Sequence, residues 1–155
     1  MRDIIIQTLM DMRPTLQKLH DDYYIIGGSA LILQGVPLKQ THDIDIFCST
    51  RDVDFLIKEW KDYYIPSPKM KDEGLFLSRF AQFQFPKMKV EAQGDLKVCK
   101  KGSWEALAIH SFRFIDLDGM QVKVPTLQEM IRILEFFSRP KDFLRIQEIK
   151  NYLKE

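Results

Sequence analysis

Asp43 and Asp45 stand one isoleucine apart, fourteen residues beyond the serine of a glycine turn, Gly27-Gly28-Ser29. In an extended chain, side chains at i and i+2 point the same way, roughly 6–7 Å apart. Both carboxylates then share one face, while Ile44 and Ile46 take the other. Two like charges held that close cost free energy and raise one pKa, and a divalent cation that prefers hard oxygen ligands relieves the conflict. The competing reading is a solvated face on an edge strand. The alternating isoleucines and the upstream glycine turn favour a metal or nucleotide role.

These residues need a strand, a turn and a short helix to hold them. Tyr23 to Ile26 is a short aromatic and β-branched run ending at two glycines, which predicts a buried strand entering a tight turn. Ser29 is placed to cap a short helix, Ala30 to Gln34, which Gly35 and Pro37 stop. Asp43 to Cys48 reads as the next strand. Arg51 to Tyr63 reads as a helix with Val53, Leu56, Ile57 and Trp60 on one face. Leu75 to Phe85 is rich in Phe and β-like. Met88 to Gln93 alternates cleanly, with Met88, Val90 and Ala92 on one face and Lys89, Glu91 and Gln93 on the polar one. Phe112 to Asp116 and Met120 to Val124 flank Asp118-Gly119, a hairpin dipeptide. Apolar spacing before and after this centre is helical. An N-terminal helix from Ile4 to Leu19 is one that Pro14 should kink or split. Two C-terminal helices carry Leu127 to Phe137 and, from Pro140, Phe143 to Leu153. The expected organisation is one domain over residues 1–155: N-terminal helices 1–21, a core 22–125 and C-terminal helices 126–154.

Composition narrows the function classes. Twenty-three basic against twenty-two acidic residues give a net charge of +1, so no global field argues for nucleic acid or membrane. Cys48 and Cys99 lack CxxC spacing, and no signal peptide or transmembrane run is visible, so a reducing, cytoplasmic setting is the default expectation. Lys87, Lys89, Lys97, Lys100 and Lys101 read as a solvated face, because few aromatics interleave them. Trp104 reads as a core or interface anchor. His42 points opposite to Asp43 and suits a structural or outer-shell role. Arg139 and Asp142 are explained by capping and dipole complementation of the last helix.

The ordered set of strand, Gly28-Ser29, helix, Lys39-x-Thr41-x-Asp43-Ile44-Asp45 and a later strand carrying Glu91 resembles the minimal nucleotidyltransferases of the DNA polymerase β-like superfamily. One branch of small prokaryotic nucleotidyltransferase-like proteins is similar in more detail. There a Gly-Ser turn leads through Leu33-Gln34-Gly35-Val36-Pro37 to His42-Asp43-Ile44-Asp45-Ile46, and a Lys89-Val90-Glu91 strand precedes Gly94-Asp95. The resemblance implies an α+β (α/β) nucleotidyltransferase fold, a mixed central β-sheet flanked by helices, with helices at the C-terminus.

It also implies a reaction. The Gly27-Gly28-Ser29 turn would cradle the phosphates of a nucleoside triphosphate, as free backbone N–H groups at a helix start can. Lys39 would be a phosphate partner, and Thr41 would order the turn or reach the nucleotide. Asp43, Asp45 and Glu91 would hold Mg²⁺ (or Mn²⁺), and Glu91 would accept the proton of an attacking hydroxyl. Most of the superfamily uses aspartate as the third carboxylate. Glu91 is one methylene longer, and Asp95 is a second candidate; the direction fixed by Met88, Val90 and Ala92 favours Glu91. The implied activity is Mg²⁺-dependent transfer of a nucleoside monophosphate to an unidentified acceptor hydroxyl of a small molecule, RNA end or protein, with release of pyrophosphate. Homodimerisation or a partner protein would suit a chain with no visible acceptor module. The alternative of a different class is a catalytically weak nucleotide-binding regulatory or toxin-antitoxin component that acts through protein contacts. A metal-dependent phosphohydrolase using the same carboxylates is a third reading.

Overall fold

A computed structural model describes residues 1–66, 70 and 72–154. Its centre is a mixed sheet whose main path runs β1 (Tyr24–Ile26), β2 (Asp43–Cys48), β5 (Lys89–Lys100), β4 (Phe76–Gln84) and β3 (Tyr64–Ile65). Only β2 and β5 run parallel among these pairs; β1, β4 and β3 join antiparallel. A further short strand, β6 (Ser103–Ala106), returns along the end of β5. The hairpin β7 (Phe112–Leu117) and β8 (Met120–Pro125) forms a separate two-stranded sheet. Asp118 and Gly119 both have positive φ at its turn, as a two-residue hairpin whose twist matches its strands requires.

One sheet face is core. Ile44, Ile46, Val90, Ala92, Ala81 and Phe83 are buried there, against α3 (Thr50–Glu59), with α1 (Arg2–Leu16) joined to α3 through Trp60. The Trp60 ring meets Phe83 and Phe85 edge-on and donates its indole N–H to Thr15 Oγ1 at 3.0 Å, tying the end of α3 to α1. The opposite face of the sheet lies across from α4 (Leu127–Phe137) and α5 (Pro140–Lys154), with Phe76 packed edge-on to Phe137. Thr126 caps α4 by accepting from Glu129 N–H, and Asp142 accepts from the Arg139 N–H at the start of α5.

Several local expectations change. Pro14 does not split the first helix: it falls in the last turn, and the helix ends two residues later at Leu16. Ser29 is not a cap. Helix α2 (Gly27–Leu33) starts two residues before it, and the serine hydroxyl donates to Asp43 O at 2.9 Å. Trp104 is not core, since it lies exposed on β6. No helix among the described residues is long and apolar enough to cross a membrane.

A bulge in β5 decides which of its residues face the helices α4 and α5. Between the pairs Leu77↔Lys97 and Arg79↔Gly94, β4 has one residue and β5 has two, Asp95 and Leu96. Asp95 takes up the extra length at φ +50. Glu91 and Gln93 face α4 before the bulge, and Leu96 does so after it. Gly94 lies against α3 so closely that a Cβ would sit 2.9 Å from the Thr50 Cα.

Candidate active site

Between the sheet and the two C-terminal helices lies a cleft of about 200 Å³. β2 supplies Asp43 and Asp45, both half-buried, with Ile44 and Ile46 fully buried behind them. β5 supplies Glu91, in register with Asp45, so the two carboxylates are cross-strand neighbours. The turn into α2 supplies Gly27 and Gly28, and buried Thr41 comes from the loop before β2. Gly27 has φ +71, and a Cβ there would lie 2.5 Å from Asp45 Oδ2. The turn therefore needs glycine twice over, for its backbone and for the carboxylate pressed against it.

The remaining partners come from afar. Gln82, directly across β4 from Glu91, donates its amide to Glu91 Oε2 at 2.9 Å. Gln93 donates to Asp45 Oδ1 at 3.4 Å. Lys141 and Arg145, four apart on α5, bring positive charge to the same cleft. An Arg145 guanidinium nitrogen and Thr41 Oγ1 crowd Gly28, at 2.8 and 2.7 Å from where a Cβ would be. Arg139 also lines the cleft, but its guanidinium is engaged by Asp142 and Asp72 and stacks over Phe76 and Phe137. Most of the rest of the wall is apolar, including Phe80, Leu96 and Met130.

Electrostatics follow from this crowding. Burial at the cleft floor, then the Glu91 charge, then that of Asp43 push the Asp45 carboxyl up to about 8, while Arg145 and Lys141 pull the other way. A site that protonates an aspartate near neutral pH favours added positive charge. The carboxylates of Asp43, Asp45 and Glu91 are hard oxygen donors of the kind a hard divalent cation takes. Among the described residues, no three His, Cys, Asp or Glu side chains already converge on one metal position.

The residues expected from sequence distribute unevenly. Asp43, Asp45, Glu91, Gly27, Gly28 and Thr41 all line the cleft. Ser29 does not, for its side chain is fully buried beneath β2. Lys39 is exposed in a neighbouring depression, and Arg145 lines both that depression and the cleft. Asp95 is not among the residues lining the cleft: the bulge turns it towards α3, where it accepts from Thr50 N and Oγ1 at 3.0 and 2.7 Å. His42 lines the cleft rim although its strand alternation points it away, because it lies in the loop just before β2. Arg145 and Gln82 carry no such local signal in the sequence. Alternation put Gln93 on the face of Glu91, but no local pattern marks an arginine on a distant helix as facing that strand.

A family model described as a nucleotidyltransferase of unknown function (DUF6036) matches residues 3–91, a span that holds both aspartates and ends at Glu91. Among solved structures, a candidate nucleotidyltransferase from Thermotoga maritima superposes with a TM-score of 0.75 at 21% identity, over 94% of this chain and 92% of that one. The lincosamide antibiotic adenylyltransferase LnuA, crystallised with lincomycin, superposes with a TM-score of 0.59 at 12% identity, over 94% of each chain. An antigenic nucleotidyltransferase-like protein from Paracoccidioides brasiliensis gives 0.58 at 17% identity, over 95% of this chain and 75% of that one. At these identities the likeness is one of fold. No curated protein sequence matches the chain.

Proposed function

The chain belongs to this family of nucleotidyltransferases of unknown function, and from that premise we propose that it transfers a nucleoside monophosphate from a nucleoside triphosphate to an acceptor hydroxyl, with Mg²⁺ or Mn²⁺ as cofactor. The observation that carries the reading is the placement of Asp43, Asp45 and Glu91 on one cleft floor, between the Gly27-Gly28 turn and the Lys141 and Arg145 side chains. Acid on one wall and base on the other is the arrangement a phosphate chain with bound cations needs.

Asp43, Asp45 and Glu91 would hold the metal, which when bound supplies charge neutralisation for the attacking and leaving oxygens. The backbone at Gly27 and Gly28, with the Thr41 hydroxyl, cradles phosphate oxygens, and Arg145 and Lys141 balance their charge. The acceptor oxygen attacks the α-phosphorus, the bond to the β-phosphate oxygen breaks, and pyrophosphate leaves. Glu91 accepts the hydroxyl proton. Adenylyl transfer is the first to test, because LnuA, of like fold, is an adenylyltransferase.

A second reading, nucleotide binding without efficient transfer, is favoured by the carboxylates not converging on one point. One assay separates the two. Protein is incubated with each α-labelled nucleoside triphosphate, Mg²⁺ or Mn²⁺, and cell extract. Labelled RNA, protein or small molecule that disappears in Asp43→Asn supports transfer. Nucleotide binding without pyrophosphate release in any extract refutes it, and release of inorganic phosphate alone points to hydrolysis.

A further inference from the structure

We infer that Gln82 is a positioning residue for the cation site, acting through Glu91, with Gln93 doing the same for Asp45. The inference rests on the metal-dependent reading above. Asp45, Glu91 and Gln82 form one cross-strand row over three adjacent strands, with Glu91 in the middle. Glu91 has one more rotatable bond than the aspartates beside it, so its carboxylate has the widest reach. The Gln82 amide takes hold of Oε2 at 2.9 Å and so fixes which way that carboxylate lies. Asp45 is held from two sides, by the Gln93 amide at Oδ1 and by the close-packed Gly27 at Oδ2.

The chemical type of the donor matters. An amide N–H orients a carboxylate and leaves its full negative charge for a cation. Lysine or arginine at the same place would neutralise that charge and compete with the ion. Packing alone does not call for glutamine here either. Its strand neighbours Ala81 and Phe83 are buried on the other face, and a half-buried position in the middle of a sheet is better filled by a β-branched or aromatic side chain. Partners that orient ligands from behind typically change metal affinity about 10- to 100-fold when removed.

The test reads Mn²⁺ binding directly, by calorimetry or by the loss of the free-ion paramagnetic resonance signal, without turnover. Four proteins are compared: wild type, Gln82→Met, Glu91→Gln and the double variant, each first checked for cooperative unfolding in EDTA. Gln82→Met should bind Mn²⁺ about 10-fold or more weakly than wild type. In the Glu91→Gln background the same substitution should add nothing, because the ligand through which Gln82 acts is already gone. Wild-type affinity in Gln82→Met, tighter binding, or an equal loss in both backgrounds overturns the inference. If Gln82→Met unfolds, Gln82→Leu and Gln93→Met, the latter read against Asp45→Asn, carry the same comparison. Wild type that binds no Mn²⁺, or binds it unchanged in Asp43→Asn, refutes instead the metal reading on which the inference stands.

Discussion

Replacing Asp45 by asparagine should stabilise the metal-free protein while abolishing transfer, and the gain should depend on pH. Burial, Glu91 and Asp43 together raise this carboxyl from 3.8 to about 8. An acid whose pKa is raised on folding leaves stability untouched below its unfolded value. It then costs about 1.4 kcal/mol per pH unit as pH rises towards the folded value, and no more beyond it. The window is therefore pH 3.8 to about 8. By pH 7 the cost reaches up to about 4 kcal/mol, and water entering the open cleft screens it towards about 2. Asparagine keeps the Oδ1 acceptor that faces Gln93 and carries no charge, so it recovers most of that amount. At about 2–4 °C per kcal/mol for a chain of this size, the melting temperature should rise by roughly 5–15 °C at pH 7 in EDTA. The assay is urea unfolding of both proteins in EDTA from pH 4 to 9. The difference should open steadily across the window and flatten above pH 8, and saturating Mg²⁺ should narrow it by stabilising only the wild type. A difference that stays constant with pH, or a destabilised variant, would mean that Asp45 is not crowded by its neighbours, and the electrostatic case for a cation here would fall.

Three other perturbations probe the same architecture. Gly27→Ala should cost about 1–2 kcal/mol from the left-handed backbone alone, and should weaken Mn²⁺ binding as well, because the new methyl displaces Asp45 Oδ2; loss of stability without loss of affinity would contradict the second part. Arg145→Met should weaken nucleoside triphosphate binding about 10- to 100-fold with little change in melting temperature, measured by calorimetry in Mg²⁺, and unchanged affinity would remove Arg145 from the phosphate wall. Glu129 is held below the usual carboxylate range by the Arg132 side chain, with the His110 N–H assisting against burial. Its contribution is present above its unfolded value of 4.5 and is lost as pH falls through the lower folded one, so Glu129→Gln should destabilise at pH 7 and draw towards wild type as pH falls below 4.5 in acid titrations followed by circular dichroism.

What could be read from the sequence was what local periodicity and turn chemistry encode. Asp43–Cys48 is a strand with the alternation Asp43 to Ile46 implies, and the Asp118-Gly119 hairpin and helix Leu127–Phe137 lie where expected. The polar direction of Glu91 followed from Met88, Val90 and Ala92, which are buried. Strands β3 and β6 carry no pattern of their own because each is short and set by its neighbour: Tyr64 and Ile65 pair with β4, and β6 folds back on the end of β5. Ser29 misled because a serine before a helical stretch suits a cap, yet the two glycines let the helix begin earlier and left the hydroxyl to hold β2. Arg145 and Gln82 were invisible for another reason. Periodicity tells which residues share a face of an element, but not which element that face meets.

The bulge at Asp95 and Leu96 makes β5 two strands in function although it is one in the backbone. Its first half carries the reactive row, and its second half turns a leucine to the cleft side and ties Asp95 to the start of α3. Deleting Leu96 would leave Asp95 alone opposite Ser78 and bring it round towards the reactive face, exchanging an apolar wall for a further acid, whereas deleting Asp95 would straighten the strand, keep Leu96 at the cleft and cut the tie to α3. Either way Lys97 stays opposite Leu77, so the extra residue governs the side on which one acid stands and not the facing of the strand beyond it.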